Sequence, residues 1–279
     1  MADTPTQTMM RALNSAAEAI WLRTHQQWPN VSIDVLPEVG STNTALMDVA
    51  RSGQLDAPRV MLAASQTAGR GRLGKPWQTR VGDALTFSVA LPWPSPLPLL
   101  GLSLATGVAI TQTLQATTGL NAAFAPRIKW PNDIWVDDHK LAGILVEVCG
   151  QDAQRCVVLG VGINITPPAG VLSHNGVAPT GLAQHLQANA PINTSEVVAS
   201  CVAALALMLG QFEHHGFAPF VQSFEKLDAL KGRALHLSDG TQGIGLGVDS
   251  HGGLRLQSGS GDVQTIISQE VSVRPCVSS

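Results

Sequence analysis

Gly69-Arg70-Gly71-Arg72-Leu73-Gly74-Lys75-Pro76-Trp77 decides the architecture, because it satisfies two phosphate-loop spacings and has the surroundings of neither. It fits G-x-G-x-x-G, and it fits G-x-x-x-x-G-K with Pro76 where Ser or Thr belongs. Both motifs work by aiming the N–H groups of a following helix at phosphate. No helix follows here. Arg59 to Ser65 reads as a strand before the stretch, and after Trp77 a short polar turn leads into a second strand-like run, Ala84 to Leu91. The stretch therefore predicts a loop joining two strands. Three glycines give it freedom and close backbone approach, while Arg70, Arg72 and Lys75 supply the positive charge a helix end would otherwise give. Such a loop suits a mobile clamp on an anionic ligand; taken alone, a solvated basic turn explains it equally well.

A second cluster favours the clamp. Arg127-Ile-Lys129-Trp130-Pro131-Asn132-Asp133-Ile-Trp135 gathers cations, indoles and an Asn-Asp pair, and Lys140-Leu-Ala-Gly143-Ile-Leu-Val-Glu147 follows closely. Pro131 keeps Trp130 extended, Asn132-Asp133 suits a turn between strands, and Trp135 reads as core. Lys140 opens an apolar run, which places its ammonium at the mouth of a pocket. Val157-Val-Leu-Gly160-Val-Gly162-Ile-Asn164 reads as a buried strand ending in a polar residue among glycines. Asn164 serves there either as a strand-end cap or as an amide set against phosphate.

In this order the blocks resemble the catalytic part of the biotin protein ligases. The resemblance runs from about Val35 to Arg274 and rests on Gly40-Ser41-Thr42-Asn43, Gln66, the Gly69 to Trp77 loop, Lys129 to Asp133, Lys140 to Glu147, Gly160 to Asn164 and Val271-Ser-Val-Arg274. Arg72-Leu73 and Lys75-Pro76 depart from the more basic pattern of many relatives and thin the loop's charge. The resemblance implies an α+β fold: a mixed β-sheet with helices packed on it, of class II synthetase-like type, plus a small C-terminal SH3-like β-barrel. It implies ATP and biotin as substrates, Mg2+ on the phosphates, and ligation of biotin to a lysine of a biotin carboxyl carrier protein through biotinyl-adenylate. Ser41, Thr42, Asn43 and Gln66 would read the ureido ring, with Arg70, Gly71, Arg72, Lys140 and Gly143 completing the biotin site and Gly143 to Val146 its apolar floor. Arg72, Lys75, Trp77, Lys129, Asn132, Asn164 and Arg274 would hold ATP or the adenylate, with Trp77 offering a face to adenine. Lys140, Arg70, Arg72 and Asp133 would be catalytic. Asp133 has two open roles, a magnesium ligand or the group that orients or deprotonates the acceptor lysine.

The chemistry asks for such residues. A carboxylate attacking a phosphate meets like charge, so cations must neutralise the approach, and Lys140 and Arg70 are the candidates. A mixed carboxylic-phosphoric anhydride hydrolyses readily, so the site must exclude water until the acceptor arrives.

Composition agrees. The 279 residues carry a net charge of −3 with only 13% charged residues, so no global basic field draws the chain to nucleic acid or membrane. Positive charge is local instead: no Lys or Arg lies between Arg80 and Arg127. Cys149, Cys156, Cys201 and Cys276 lack zinc-ligand spacing and read as small buried hydrophobes of a reducing compartment. His214-His215 reads as a helix-end surface pair. The start shows no basic segment followed by an apolar core, so a cytoplasmic setting is expected. Val197 to Phe212, broken by Ser200, Gly210 and Gln211, reads as a buried helix rather than a span.

Periodicity orders the rest. Met10, Leu13, Ala17, Ile20, Trp21, Thr24 and Trp28 predict an amphipathic N-terminal helix within residues 1–30, then a strand Val31 to Leu36 and a helix Thr44 to Arg51 capped by Ser41 or Thr42 and ended by Gly53. Leu97 to Thr118 predicts a long helix, Arg127 to Trp135, Gly143 to Val148 and Cys156 to Ile165 predict strands, and Thr166 to Pro179 a second mobile flap. Helices follow near Gly181 to Ala188, Ser195 to His215 and Pro219 to Leu227. From Lys231, short strands alternate with Asp239-Gly240, His251-Gly252-Gly253 and Ser258 to Asp262, which places a domain boundary between 1–229 and 230–279.

Three alternatives compete. Lipoate or octanoate ligases and transferases share the fold, but their ligand has no ureido group for Ser41-Thr42-Asn43. A biotin-responsive repressor needs an N-terminal winged helix; about forty residues with Arg11 and Arg23 as their basic residues cannot build one, so no specific DNA binding is expected. A nucleotide-binding module without catalysis fits poorly with Lys140 and Asp133 both in place. The resemblance also admits a homodimer paired through the central sheet.

Overall fold

The computed structural model describes residues 3–77, 80–117, 119–151, 154–168, 178–187, 190–267 and 273–275. Most of the expected flap (169–177), Val271-Ser272, Cys276, and the tips at Gln78-Thr79 and Ala188 lie outside them.

Chain order is α1 (Pro5–Thr24), β1 (Ser32–Leu36), α2 (Thr42–Arg51), β2 (Arg59–Ala63), β3 (Ala84–Pro92), α3 (Leu102–Gln115), β4 (Arg127–Lys129), β5 (Asp133–Val136), β6 (His139–Cys149), β7 (Cys156–Asn164), α4 (Thr194–His215), α5 (Val221–Leu227) and β8 to β12 (Ala234–Leu237, Gln242–Val248, Leu254–Gln257, Val263–Ile266, Val273–Pro275). Seven strands form one sheet in the order β1-β2-β3-β7-β6-β5-β4. β1 and β2 run parallel and every other neighbouring pair antiparallel, so the sheet is mixed. The last five strands form a separate antiparallel sheet, β11-β10-β9-β8-β12. The α+β class and the small C-terminal β unit are as expected.

Period two sorts the main sheet's faces. Leu85, Phe87, Val89 and Leu91 of β3, and Val157, Leu159, Val161 and Ile163 of β7, point into one core with α1, α3, α4 and α5. The opposite face carries Ala90, Cys156 and Val158 under α2. Further along that face stand Ser88, Gly160, Gly162 and Asn164, too small or too polar for a second core. They floor a cleft instead.

Several boundaries differ from the periodic reading. Helix α1 starts at Pro5 behind a Thr4–Gln7 capping box, and its buried residues are Met9, Leu13, Ala16, Ile20 and Thr24. Trp21 is half exposed, one position off the buried stripe, and Trp28 is buried after the helix has ended. The predicted helix from Leu97 begins at Leu102. Its N-cap, Gly101, has φ +82, and closely spaced prolines before it keep the backbone out of helical geometry. The expected strand 127–135 is two strands, because the turn falls at Trp130 to Asn132 and Asp133 already pairs with Lys129. Lys140 lies inside β6, which starts four residues before the expected Gly143. The expected helix at 181–188 is a single 3-10 turn, Leu182–His185. α4 is the one described helix long and apolar enough to cross a membrane; just over half of its apolar window is buried inside the molecule.

The C-terminal sheet touches the site's scaffold. Trp130 Nε1 donates to the Gly252 carbonyl at 3.0 Å. A Cβ on Gly252 would lie 2.7 Å from the Gly101 Cα, so the two backbones meet without side chains between them.

Candidate active site

The segment Gly69 to Trp77 is a compact hairpin. Trp77 N–H donates to Gly69 O at 2.8 Å and Gly71 N–H to Lys75 O at 2.7 Å, around a 3-10 turn at Arg72–Gly74. It roofs a cleft of about 470 Å³ whose walls are α2, β3, β6, β7, the turn after β4, and Arg274 from β12. Every site residue expected from the sequence lines this cleft: Ser41, Thr42, Asn43, Gln66, Arg70, Gly71, Arg72, Lys75, Trp77, Lys129, Asn132, Asp133, Lys140, Gly143, Asn164 and Arg274. Of the expected apolar floor, Gly143, Ile144 and Leu145 line it, whereas Val146 faces a small neighbouring pocket beside Trp130.

One end is cationic. Lys140 Nζ lies 2.7 Å from Asp133 Oδ1, and Lys129 Nζ lies 3.9 Å from Asp133 Oδ2. Burial works against the Asp133 charge, yet Lys140, Lys129 and Arg72 together hold its carboxyl below the ordinary carboxylate value. Lys129 is the most buried cation here; desolvation, opposed by Asp133 and aided by Lys140, Arg72 and Lys75, brings its pKa down to about 8. Burial also lowers the Arg72 pKa, against the pull of Asp133. Arg72 donates from one guanidinium nitrogen to Asn132 Oδ1 at 3.0 Å, while its NH2 is buried with no partner. Three cations around one carboxylate leave an excess of positive charge, and the unsatisfied Arg72 donor asks for an anion.

The other end is neutral and hydrogen-bonding. Thr42 Oγ1 lies 2.7 Å from Ser88 Oγ, Ser88 Oγ donates to Asn43 Oδ1 at 2.9 Å, and Gln66 Oε1 accepts from Thr42 N–H at 2.8 Å. Ser41 caps α2 by accepting from Thr44 N–H at 3.4 Å. The cap and the pocket wall are thus the same residues.

Two expected contacts are committed elsewhere. Asn132 donates from Nδ2 to Ile144 O and accepts Arg72, so its amide ties the turn to β6 and positions the arginine. Arg70, the expected companion of Lys140, instead reaches the neutral end, donating to Glu147 Oε1 at 3.0 Å and Thr44 Oγ1 at 3.2 Å. The loop's two arginines therefore grip opposite walls.

Between the ends lies Trp77. Its indole packs on Gly162, where a Cβ would come within 2.4 Å of it, and on Gly143, directly opposite in the β6–β7 register. Lys140 Nζ sits 5.6 Å from the ring centroid. The sequence reading missed Ser88, Glu147 and the flooring role of Gly160 and Gly162. A buried serine in an apolar strand and glycines at alternate positions of β7 were the available signals.

Asp133 fits a resident magnesium ion poorly. A hard divalent cation needs several free oxygens, whereas this carboxylate is neutralised by two lysines, and no group of three His, Cys, Asp or Glu gathers among the described residues.

Comparison with known proteins places this geometry. The profile of the Biotin/lipoate A/B protein ligase family matches residues 35–164. The bifunctional ligase/repressor BirA of Escherichia coli K12 is 34% identical over 87% of this chain and 74% of its own length. The biotin--[acetyl-CoA-carboxylase] ligase of Paracoccus denitrificans is 30% identical over 81% of this chain and 95% of its own. A biotin protein ligase from Aquifex aeolicus, solved with biotin and ATP, superposes with a TM-score of 0.72 over 88% of this chain and 99% of its own; at 24% identity this likeness speaks for the fold alone. The paired ends of the cleft and these relatives lead to one conclusion, that the chain belongs to the biotin protein ligase family.

Proposed function

We propose that the chain is an ATP-dependent biotin–[biotin carboxyl-carrier protein] ligase, acting in two steps through biotinyl-5'-AMP. The observation that carries this reading is a single cleft with a hydrogen-bonding end at Thr42, Ser88 and Gln66, where the Arg70–Glu147 pair leaves no net charge, and a cationic end at Lys140, Lys129 and Arg72. A ureido ring suits the first and a carboxylate meeting an α-phosphate the second. A lipoyl dithiolane would leave the polar end unpaired, which disfavours the lipoate alternative.

In the first step a biotin carboxylate oxygen attacks the α-phosphorus and pyrophosphate leaves. Lys140 stands where both anions converge, and Lys129 and Arg72 add charge on the phosphate side. In the second step the neutral amine of the acceptor lysine attacks the acyl carbon, loses a proton, and AMP leaves. Asp133 is best read as the anchor that orients Lys140. A carboxyl held below its ordinary pKa is a weak base, so activation of the acceptor lysine is the less favoured of its two roles. Magnesium would be brought by ATP rather than held by this chain, and would supply charge neutralisation on the phosphates. Arg274 reaches the cleft from the second sheet and is assigned to ATP, with Lys75 and Asn164. The catalytic unit spans 1–229 and the small β unit 230–279; the carrier protein is the partner, in a cytoplasmic setting and without specific DNA binding. α1 supports the last point, since it packs on α4 as part of the main core.

Incubation with biotin, ATP and magnesium should release pyrophosphate and label a carboxylase carrier domain. Labelling with lipoate or octanoate in place of biotin would sink the reading.

Lys129 predicts a pH dependence. Its folded pKa of about 8 lies below the ordinary value, so it is charged below about 8 and loses its proton as pH rises through that point. The KM for ATP should therefore climb between pH 7 and 9, by at most about tenfold per unit. Lys129→Met should have a raised KM at pH 7 and no such rise; a wild-type slope retained in the variant would remove Lys129 from phosphate binding.

Arg72 predicts retention. Arg72 lines the cleft and keeps one buried guanidinium nitrogen without a partner, which would gain an anion only with ligand; such a bond contributes about 1.5–3 kcal/mol. Arg72→Gly should release the adenylate about 10–150-fold faster, by that same figure. Free adenylate then acylates lysines of a bystander albumin. Equal albumin labelling by both proteins, with adenylate synthesis confirmed in each, would leave Arg72 outside retention.

A further inference from the structure

Glu147 has no part in the chemistry above, yet its carboxylate ties together two segments of the neutral end. Oε2 accepts from Asn43 Nδ2 at 2.8 Å and Oε1 accepts from Arg70 at 3.0 Å. The Asn43 amide is therefore oriented, because its flipped form would set Oδ1 against a carboxylate that only accepts. With Oδ1 turned the other way, Ser88 must spend its one hydrogen on Asn43. The Thr42 hydrogen then has two acceptors in reach, Ser88 Oγ at 2.7 Å and Gln66 Oε1 at 3.1 Å, and the shorter contact takes it because Ser88 has no hydrogen left to give; with its hydrogen committed inside the protein, the Thr42 oxygen is left as an acceptor. Gln66 is oriented from the other side: its Oε1 takes the Thr42 backbone N–H, so its Nε2 remains a donor at the cleft.

We infer that Glu147 is a positioning residue that sets the direction of a hydrogen-bond chain, Thr42 to Ser88 to Asn43 to Glu147, and so makes this end of the cleft select a ligand bringing N–H to Thr42 and a carbonyl to Gln66. The inference deepens the proposed function and rests on it, since a cyclic urea carries both groups side by side. Gly160 belongs to the same device: a Cβ there would lie 2.4 Å from Asn43 Oδ1 and displace the amide.

The test is an exchange of partners, read as the biotin KM in biotin-dependent ATP–pyrophosphate exchange, with the ATP KM as control because ATP occupies the other end. Glu147→Leu removes the acceptor, and Asn43→Asp sets two carboxylates face to face. Each should raise the biotin KM about tenfold or more while moving the ATP KM by less than about threefold, as a lost bond to a charged group implies. The double variant Asn43→Asp/Glu147→Gln restores the direction of the chain: the carboxylate at position 43 accepts from Ser88 and from the amide at position 147, whose oxygen still accepts from Arg70. Its biotin KM should return to within about threefold of wild type. A merely structural role predicts no such recovery. If Glu147→Leu does not fold, Glu147→Gln alone is used, because Asn43 and Arg70 donate to different oxygens of the carboxylate and the amide puts an NH2 donor in place of one of them. An unchanged biotin KM in the single variants, or a double variant no better than the worse single one, overturns the inference. Absence of exchange in the wild type would instead overturn the proposed function.

Discussion

Lys140→Ala is expected to slow biotinyl-adenylate formation by about 10²–10³-fold, the usual cost of removing one preorganised group from a developing charge. Two effects add in this cleft. The variant loses the ammonium proposed to meet both anions, and it frees Asp133 from its 2.7 Å partner, so a less compensated carboxylate would face the incoming phosphates. Transfer from chemically made biotinyl-adenylate to the carrier should fall far less, because the phosphoric anhydride already exists. Single-turnover measurement of each step separates them. Equal damage to both would mean that Lys140 shapes the cleft generally. Adding Asp133→Asn to Lys140→Ala should recover part of the lost adenylation; a double variant no faster than the single one would show that Asp133 does not act through Lys140.

Gly162→Val is expected to lower affinity for biotin by more than about 100-fold with the fold intact. The strand backbone there tolerates a side chain, since Gly162 is not among the positive-φ glycines, but the new Cβ would stand 2.4 Å from the Trp77 indole. Either the ring leaves the floor or the valine fills the space the ligand needs. Overpacking a tight site costs about 1–3 kcal/mol, and blocking the seat itself adds the lost ligand contacts. Calorimetric titration with biotin, beside a thermal unfolding curve, gives both quantities. Gly210→Ala is the control: no atom lies within 4 Å of a Cβ there, and alanine favours a helix by about 1 kcal/mol. Normal biotin affinity in Gly162→Val would show that the Gly143–Gly162 floor is not where the ligand sits.

The strands around the glycine loop, the late change to short strands and the cationic residues are all legible in the sequence. The start of the helix after Leu97 and the break within 127–135 are not, because apolar periodicity extends through residues whose backbone is diverted, at Gly101 and at the Trp130 to Asn132 turn. Arg70 serves the opposite end from the expected one because charge type is visible in a sequence and the direction of a side chain is not.

By itself the sequence determined that Gly69 to Trp77 is a loop between strands and that a second β unit follows Lys231. These rest on local causes: glycine and proline restrict their own backbone, and period two is a property of one strand. Only the tertiary structure decided which groups are already paired and which are left for a ligand. Asn43 and Glu147 are 104 residues apart, and Ser88 and Asn43 are 45 apart. The register of β3, β7 and β6 brings them under α2, so the availability of each donor and acceptor is a property of the sheet as a whole.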